Sequence, residues 1–308
     1  MGYGSYTARD WEKLRSASSL HKDARVETIF TNVTALPQYD SRRVSLREAR
    51  DSADSPRSTP VILGFDVTAS MGYLAKELAV NAVNAAVTSL LENKPIPDPQ
   101  VLCAAVGDCK SDRSPLQVTQ FEADIRIIKQ LTGLAIEGGG GGNNGESYNL
   151  LWYFAARHTS ADCTEKRGKK GYLFTIGDDV SHPQLSPGEI AAVFNDDVPY
   201  ALTNEELLRE AEKTYRTFHI CLETGYDTQR AVFGFWRALM PGRAAVLHKN
   251  DVGCLAELLT AIITVSEGAP LNDALNAVPP EKAERIARSM AFIDVKKDTD
   301  KKRNVITF

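Results

Sequence analysis

Long apolar runs are missing from this sequence. No stretch approaches the ~20 consecutive apolar residues needed to cross a bilayer, which argues against a membrane-spanning chain. The opening residues, Met1-Gly2-Tyr3-Gly4-Ser5-Tyr6, supply neither the basic region nor the apolar core of a secretory leader. A myristoylation start is only partly matched, because Tyr6 stands where a small hydroxyl residue is expected. An excess of basic charge is missing too: 36 Lys and Arg against 40 Asp and Glu leave a formal net charge of -4, the wrong sign for a general nucleic-acid binder. The local basic run Lys166-Arg167-Gly168-Lys169-Lys170 reads as a solvated loop. Cysteine is sparse and unpaired: Cys103, Cys109, Cys163, Cys221 and Cys254 are odd in number and never form a C-x-x-C pair. A reduced compartment fits that usage, and the expected location is cytoplasmic.

What is present is the composition of an ordinary soluble protein, 43% hydrophobic and 25% charged, in a chain of 308 residues that can build one large α/β domain with extensions. Residues 1–57 are polar, with short helices expected over Thr7-Ala17 and Ser45-Ser52 and an edge strand or extended arm over Val26-Val33. This segment reads as a lead-in that wraps the domain. From there strands and helices alternate. Apolar runs at Val61-Asp66, Val101-Gly107, Leu116-Phe121, Lys170-Asp179, Thr217-Leu222 and Ala244-Leu247 read as strands. Helical spacing marks Tyr73-Glu92, Glu122-Leu131, Glu146-His158, Ser186-Phe194, Asn204-Tyr215, Thr228-Leu239, Asp251-Glu267 and Pro280-Met290. Strands alternating with helices imply crossovers and a doubly wound, mainly parallel six-stranded sheet with helices on both faces, its ligands gathered at the strands' carboxyl ends.

Acids stand at three of those ends. The first strand runs into Asp66-Val67-Thr68-Ala69-Ser70-Met71-Gly72, one carboxylate followed by two hydroxyls at two-residue spacing. Such hard oxygens suit Mg²⁺ or Mn²⁺ better than a soft metal. The second strand ends at Asp108, and the fourth ends in Gly177-Asp178-Asp179, with His182 beyond as a loop residue or hydrogen-bond partner. Between them, five consecutive glycines at 138–142 must be a loop, and it delivers Asn143, Asn144, Glu146 and Ser147 to a helix start. A phosphate cradle is disfavoured there because no G-K-[ST] follows.

Taken together, these loops resemble the von Willebrand factor A (VWA) domains, whose metal-ion-dependent adhesion site begins D-x-[ST]-x-S after the first strand. Asp66-Val67-Thr68-Ala69-Ser70-Met71 is similar to the D-x-T-G-S-M form of intracellular bacterial and phage members, with Ala69 in place of the usual Gly. The glycine run followed by a polar pair and Glu146-Ser147 resembles their second metal loop, without the Thr that many adhesion members place there. The resemblance covers about residues 58–268, leaving 1–57 as an N-terminal extension and 269–308 as a C-terminal helix and charged tail. It implies Mg²⁺ or Mn²⁺ held by Asp66, Thr68, Ser70 and Asp178, with Asp108, Asn143, Asn144, Glu146, Ser147 and Asp179 around them. It implies no catalysis, and one open coordination position that a partner's Asp or Glu can take, within an intracellular assembly that can include an AAA+ ATPase of the MoxR kind.

Two other readings stay open. Asp66-Val67-Thr68 with the later Gly177-Asp178-Asp179 also resembles haloacid-dehalogenase-type phosphohydrolases, with Asp66 as nucleophile, although Thr68 stands where the usual second Asp would be. A metal-free VWA-like scaffold, in which Thr68 and Ser70 merely cap a helix, is the third.

Overall fold

In the computed structural model, the described residues are 8–17, 24–67, 76–77, 81–137, 145–223 and 228–294. Six strands form the central sheet: β1 (Thr59–Asp66), β2 (Pro99–Val106), β3 (Leu116–Val118), β4 (Gly171–Gly177), β5 (Tyr215–Glu223) and β6 (Ala244–His248). Their spatial order is β6-β5-β4-β1-β2-β3. Every neighbouring pair is parallel except β2 with the edge strand β3. Chain order reverses beside β1, so β1 and β4 lie side by side although far apart in sequence. That reversal opens a crevice at their carboxyl ends.

The strands read as unbroken apolar runs because both faces of the sheet are covered. On β1, Val61, Leu63 and Phe65 join one core layer and Ile62 the other; on β4, Tyr172, Phe174 and Ile176 divide from Leu173 in the same way. The first layer packs against the helices Val83–Asn93, Arg126–Leu131 and Leu255–Ser266. The second packs against Tyr148–Arg157, Pro187–Phe194, Asn204–Ala211 and Thr228–Leu239. Ser186 and Thr203 each open a helix with a full capping box, closed by Glu189 and Glu206.

Several sequence expectations change. Ser45-Ser52 is not a helix: Arg47–Ala49 is a strand running parallel to Thr159–Ala161. Val26-Val33 is not extended; Val26–Ile29 is one helical turn that buries Ile29 and Phe30 in the first core layer. The basic run is a loop only from Gly168 to Lys170, with Lys169 exposed as expected. Its first two residues close a helix, Asp162–Arg167, which ends at Gly168 in the left-handed conformation (φ 61°). Arg167 Nη1 donates to Asp51 Oδ2 at 2.6 Å and Lys166 Nζ to Asp162 Oδ2 at 2.7 Å. Leu116-Phe121 is a strand only to Val118, since Thr119 turns its hydroxyl to accept from Cys103 N at 2.9 Å. Asn204-Tyr215 stops at Ala211, because Tyr215 already belongs to β5. The closing helix splits into a 3-10 turn, Lys249–Cys254, and an α-helix, Leu255–Ser266. Tyr73-Glu92 falls partly outside the described residues, and its described part is helical from Val83 to Asn93.

Candidate metal centre

Side chains alternate along a strand, so the residue that ends it is aimed by the residues before it. With Val61, Leu63 and Phe65 on one face, Asp66 turns toward the other, where the Tyr148–Arg157 helix lies. Asp66 is fully buried, and Tyr148 Oη donates to its Oδ2 at 3.1 Å. On β4 the same alternation aims Gly177 at Tyr148, and only the missing side chain leaves room for the phenol. Asp178 follows, half-buried. Burial first, then the carboxylates of Asp66, Asp178 and Glu146, hold the Tyr148 phenol well above its usual range, so it stays a donor.

Asp108, two residues past β2, is also fully buried. Its Oδ1 accepts from His182 Nε2 at 2.9 Å, Lys110 N at 3.0 Å and Ser147 Oγ at 3.3 Å. Its own N–H donates to Asp112 Oδ2 at 2.8 Å. Lys110 Nζ lies 3.2 Å from His182 Nδ1. With an ammonium donating to Nδ1 and a carboxylate accepting from Nε2, the ring takes the Nε2–H tautomer. His182 is a hydrogen-bond partner here. Ser147 Oγ also accepts from Cys109 N at 3.0 Å, which ties the start of its helix to the end of β2.

Glu146 sits between these acids. Its N–H donates to Val180 O at 2.9 Å and its carbonyl accepts from His182 N at 3.0 Å, locking the loop after β4 onto the helix start. Its side chain is buried, and among the described residues Oε2 has no hydrogen-bond partner. Burial, then the charges of Asp66, Asp108, Asp112 and Asp179, push the Glu146 carboxyl up to about 9. A cluster that keeps a carboxyl protonated at neutral pH is short of positive charge, and a bound cation reverses that logic.

The acids and oxygens in place therefore fit a hard divalent cation in kind. Among the described residues, no three His, Cys, Asp or Glu side chains converge closely enough to hold one by themselves. The ligand set implied by the VWA resemblance takes two hydroxyls from Thr68 and Ser70, which lie outside the described residues, as do Asn143 and Asn144.

Aromatic side chains that the sequence reading did not single out complete the centre. Trp236 Nε1 donates to Asp179 O at 3.0 Å. Its ring lies face to face with His219, centroids 3.5 Å apart and planes within 8°, and Tyr148 meets both edge-on, at 5.4 and 5.2 Å. Burial holds His219 well below the ordinary imidazole range, so the ring is neutral, and its Nδ1 lies 2.9 Å from Thr175 Oγ1. The one sequence signal for this cluster is that Tyr148 directly follows the Glu146-Ser147 pair. Two clefts of about 600 and 520 Å³ lie elsewhere, flanking Arg237 and Phe292.

No family model matches the sequence. No curated protein matches it either. Among solved structures, the chain is similar to a von Willebrand factor type A protein from Catenulispora acidiphila, at 15% identity and TM-score 0.38 over 68% of this chain and 43% of that one. It is also similar to the pilus adhesin SpaC from Lactobacillus rhamnosus GG in its open conformation, at 8% identity and TM-score 0.45 over 74% and 30%. A third is proximal thread matrix protein 1 from the mussel byssus with a zinc-occupied MIDAS motif, at 13% identity and TM-score 0.41 over 68% and 48%. The match spans less than half the length of each of these proteins.

Proposed function

We propose that this chain is a VWA-type, divalent-metal-dependent protein-binding module. The observation that carries this reading is Glu146, buried at the crevice between β1 and β4 with an Oε2 that has no hydrogen-bond partner among the described residues, near Asp66 at the end of β1 and Asp179 after β4. In this reading Asp66, Thr68, Ser70 and Asp178 hold Mg²⁺ or Mn²⁺. Glu146, Asp108, Ser147, Asn143, Asn144 and Asp179 surround them. When bound, the cation supplies an electrophilic position at which a carboxylate of another protein can be captured. The chain's own residues bury Asp66, Asp108 and Glu146 and donate hydrogen bonds to the carboxylates of Asp66 and Asp108. No catalytic turnover belongs to this reading. The partner is a protein offering Asp or Glu, and the setting is a cytoplasmic assembly of the bacterial or phage kind, with a MoxR-type AAA+ ATPase as a candidate member.

Calorimetric titration of metal-stripped protein with Mg²⁺ and Mn²⁺ tests it. Saturable one-to-one binding by wild type that is lost in Asp66→Ala is expected. Asp66-dependent hydrolysis of a generic aryl phosphate would instead turn the assignment toward the phosphohydrolases.

A further inference from the structure

Tyr148 and Trp236 come from different helices, and each bonds to a different arm of the acid crevice. The Tyr148 phenol donates to the Asp66 carboxylate after β1, and the Trp236 indole donates to the Asp179 carbonyl after β4. Their rings meet edge-on, and both bear on the neutral ring of His219 on β5. All three side chains are at most 1% exposed. The Asp66 carboxylate and the Asp179 backbone are thus both tied to one buried aromatic cluster.

Two features argue that this unit serves the acids. A buried phenol is satisfied by any acceptor, and neutral backbone carbonyls are the common choice. Here the acceptor is a fully buried carboxylate, the more demanding group to place. Gly177 then clears the space for that phenol, at the residue directly before Asp178. The room for the hydroxyl is therefore built into the strand that also delivers the second acid.

We infer that Tyr148 is a positioning residue of the metal centre: its hydroxyl fixes the Asp66 carboxylate in the orientation that receives the cation. This rests on the metal-binding reading above. Partners that orient ligands in this way are commonly worth 10- to 100-fold in metal affinity.

The test is a Mn²⁺ titration of the metal-stripped full chain, read by calorimetry and by the relaxation of water protons around bound Mn²⁺. Three forms are compared: wild type, Tyr148→Phe and Trp152→Phe. Tyr148→Phe keeps the ring against Trp236 and His219 and removes only the hydroxyl. Trp152→Phe disturbs the same cluster, since Trp152 meets Trp236 at 6.0 Å, and leaves the phenol in place. The expected result is a Mn²⁺ Kd raised about 10-fold or more in Tyr148→Phe, with an altered relaxation signal at saturation, and a wild-type Kd in Trp152→Phe. An unchanged Kd in Tyr148→Phe beside normal binding by wild type overturns this inference alone. Equal weakening by Trp152→Phe also overturns it, by reducing the effect to core packing. No Mn²⁺ binding by wild type removes the metal reading itself and this inference with it.

Discussion

Gly177 lies against the phenol of Tyr148, so close that a methyl group at that position would overlap the hydroxyl oxygen. Gly177→Ala is therefore an overpacking change in a filled core and is expected to destabilise the protein by roughly 1–3 kcal/mol. Because the ring carbon behind the hydroxyl would still stand at 2.7 Å, Tyr148→Phe should relieve only part of that cost. Urea unfolding of both single variants and the double variant measures the coupling, and strictly additive costs would show that the ring moves aside some other way.

Metal should stabilise the native state only through the acid crevice. At about a hundred times its Kd, Mg²⁺ or Mn²⁺ adds roughly 2.7 kcal/mol to metal-stripped wild type, a rise of several degrees in a thermal melt. Asp66→Ala is expected to unfold cooperatively and to gain nothing from either ion. A metal-dependent rise retained in that variant would place the binding site elsewhere.

The raised Glu146 carboxyl gives the metal-stripped protein a distinctive pH profile. Its folded value, about 9, lies above its unfolded value of 4.5, so the native state binds the extra proton between the two. The contribution of Glu146 is then complete below about 4.5 and is lost as pH rises toward 9, by at most about 1.4 kcal/mol per unit. Glu146→Gln should flatten that fall. In wild type, cation binding at pH 7 should release close to one proton, measurable as a dependence of the calorimetric heat on buffer ionisation.

Asp162 behaves in the opposite sense. It is buried and accepts from Lys166 Nζ at 2.7 Å, Arg50 Nη1 at 2.9 Å and Asp51 N at 2.9 Å. Burial opposes its charge, but Lys166, the Asp51 backbone and Arg50 outweigh it and hold the carboxyl down at about 2. Its contribution is complete above the unfolded value of 3.8 and is lost as pH falls through about 2. Asp162→Asn, which leaves Arg50 and Lys166 facing a neutral amide, should cost about 3 kcal/mol at pH 7 and abolish that acid-limb loss in a melt series.

How much of this was legible in the sequence depends on range. β1 and β4 hold near-continuous apolar runs, and two helix starts carry Ser186 with Glu189 and Thr203 with Glu206 at capping-box spacing, so local pattern sufficed there. Asp66, Asp108 and Asp178 were readable because each ends or follows a strand. The contacts among them were not: Tyr148 and Asp66 are 82 residues apart, His182 and Asp108 74, and Trp236 and Asp179 57, and no local periodicity encodes such pairings. The same reason explains Arg47–Ala49, three residues whose strand state comes from Thr159–Ala161 and not from their own propensity. Arg167 looked solvated because its carboxylate partner, Asp51, lies in a different part of the chain.

The parallel pairing of Arg47–Ala49 with Thr159–Ala161, and of β1 with β4 beside it, also sets an order of events during synthesis. Arg50 and Asp162, which secure that pairing, are 112 residues apart. When β1 and β2 leave the ribosome they can find each other, but the strand in the lead-in has no partner until Thr159–Ala161 is made, and the opposite side of β1 none until β4 is made. The nascent chain must therefore hold one side of β1 unpaired while more than 100 further residues are made. Folding of this protein is consequently dominated by late, non-local closure, with rates nearer those of slow mixed α/β domains than of helical bundles.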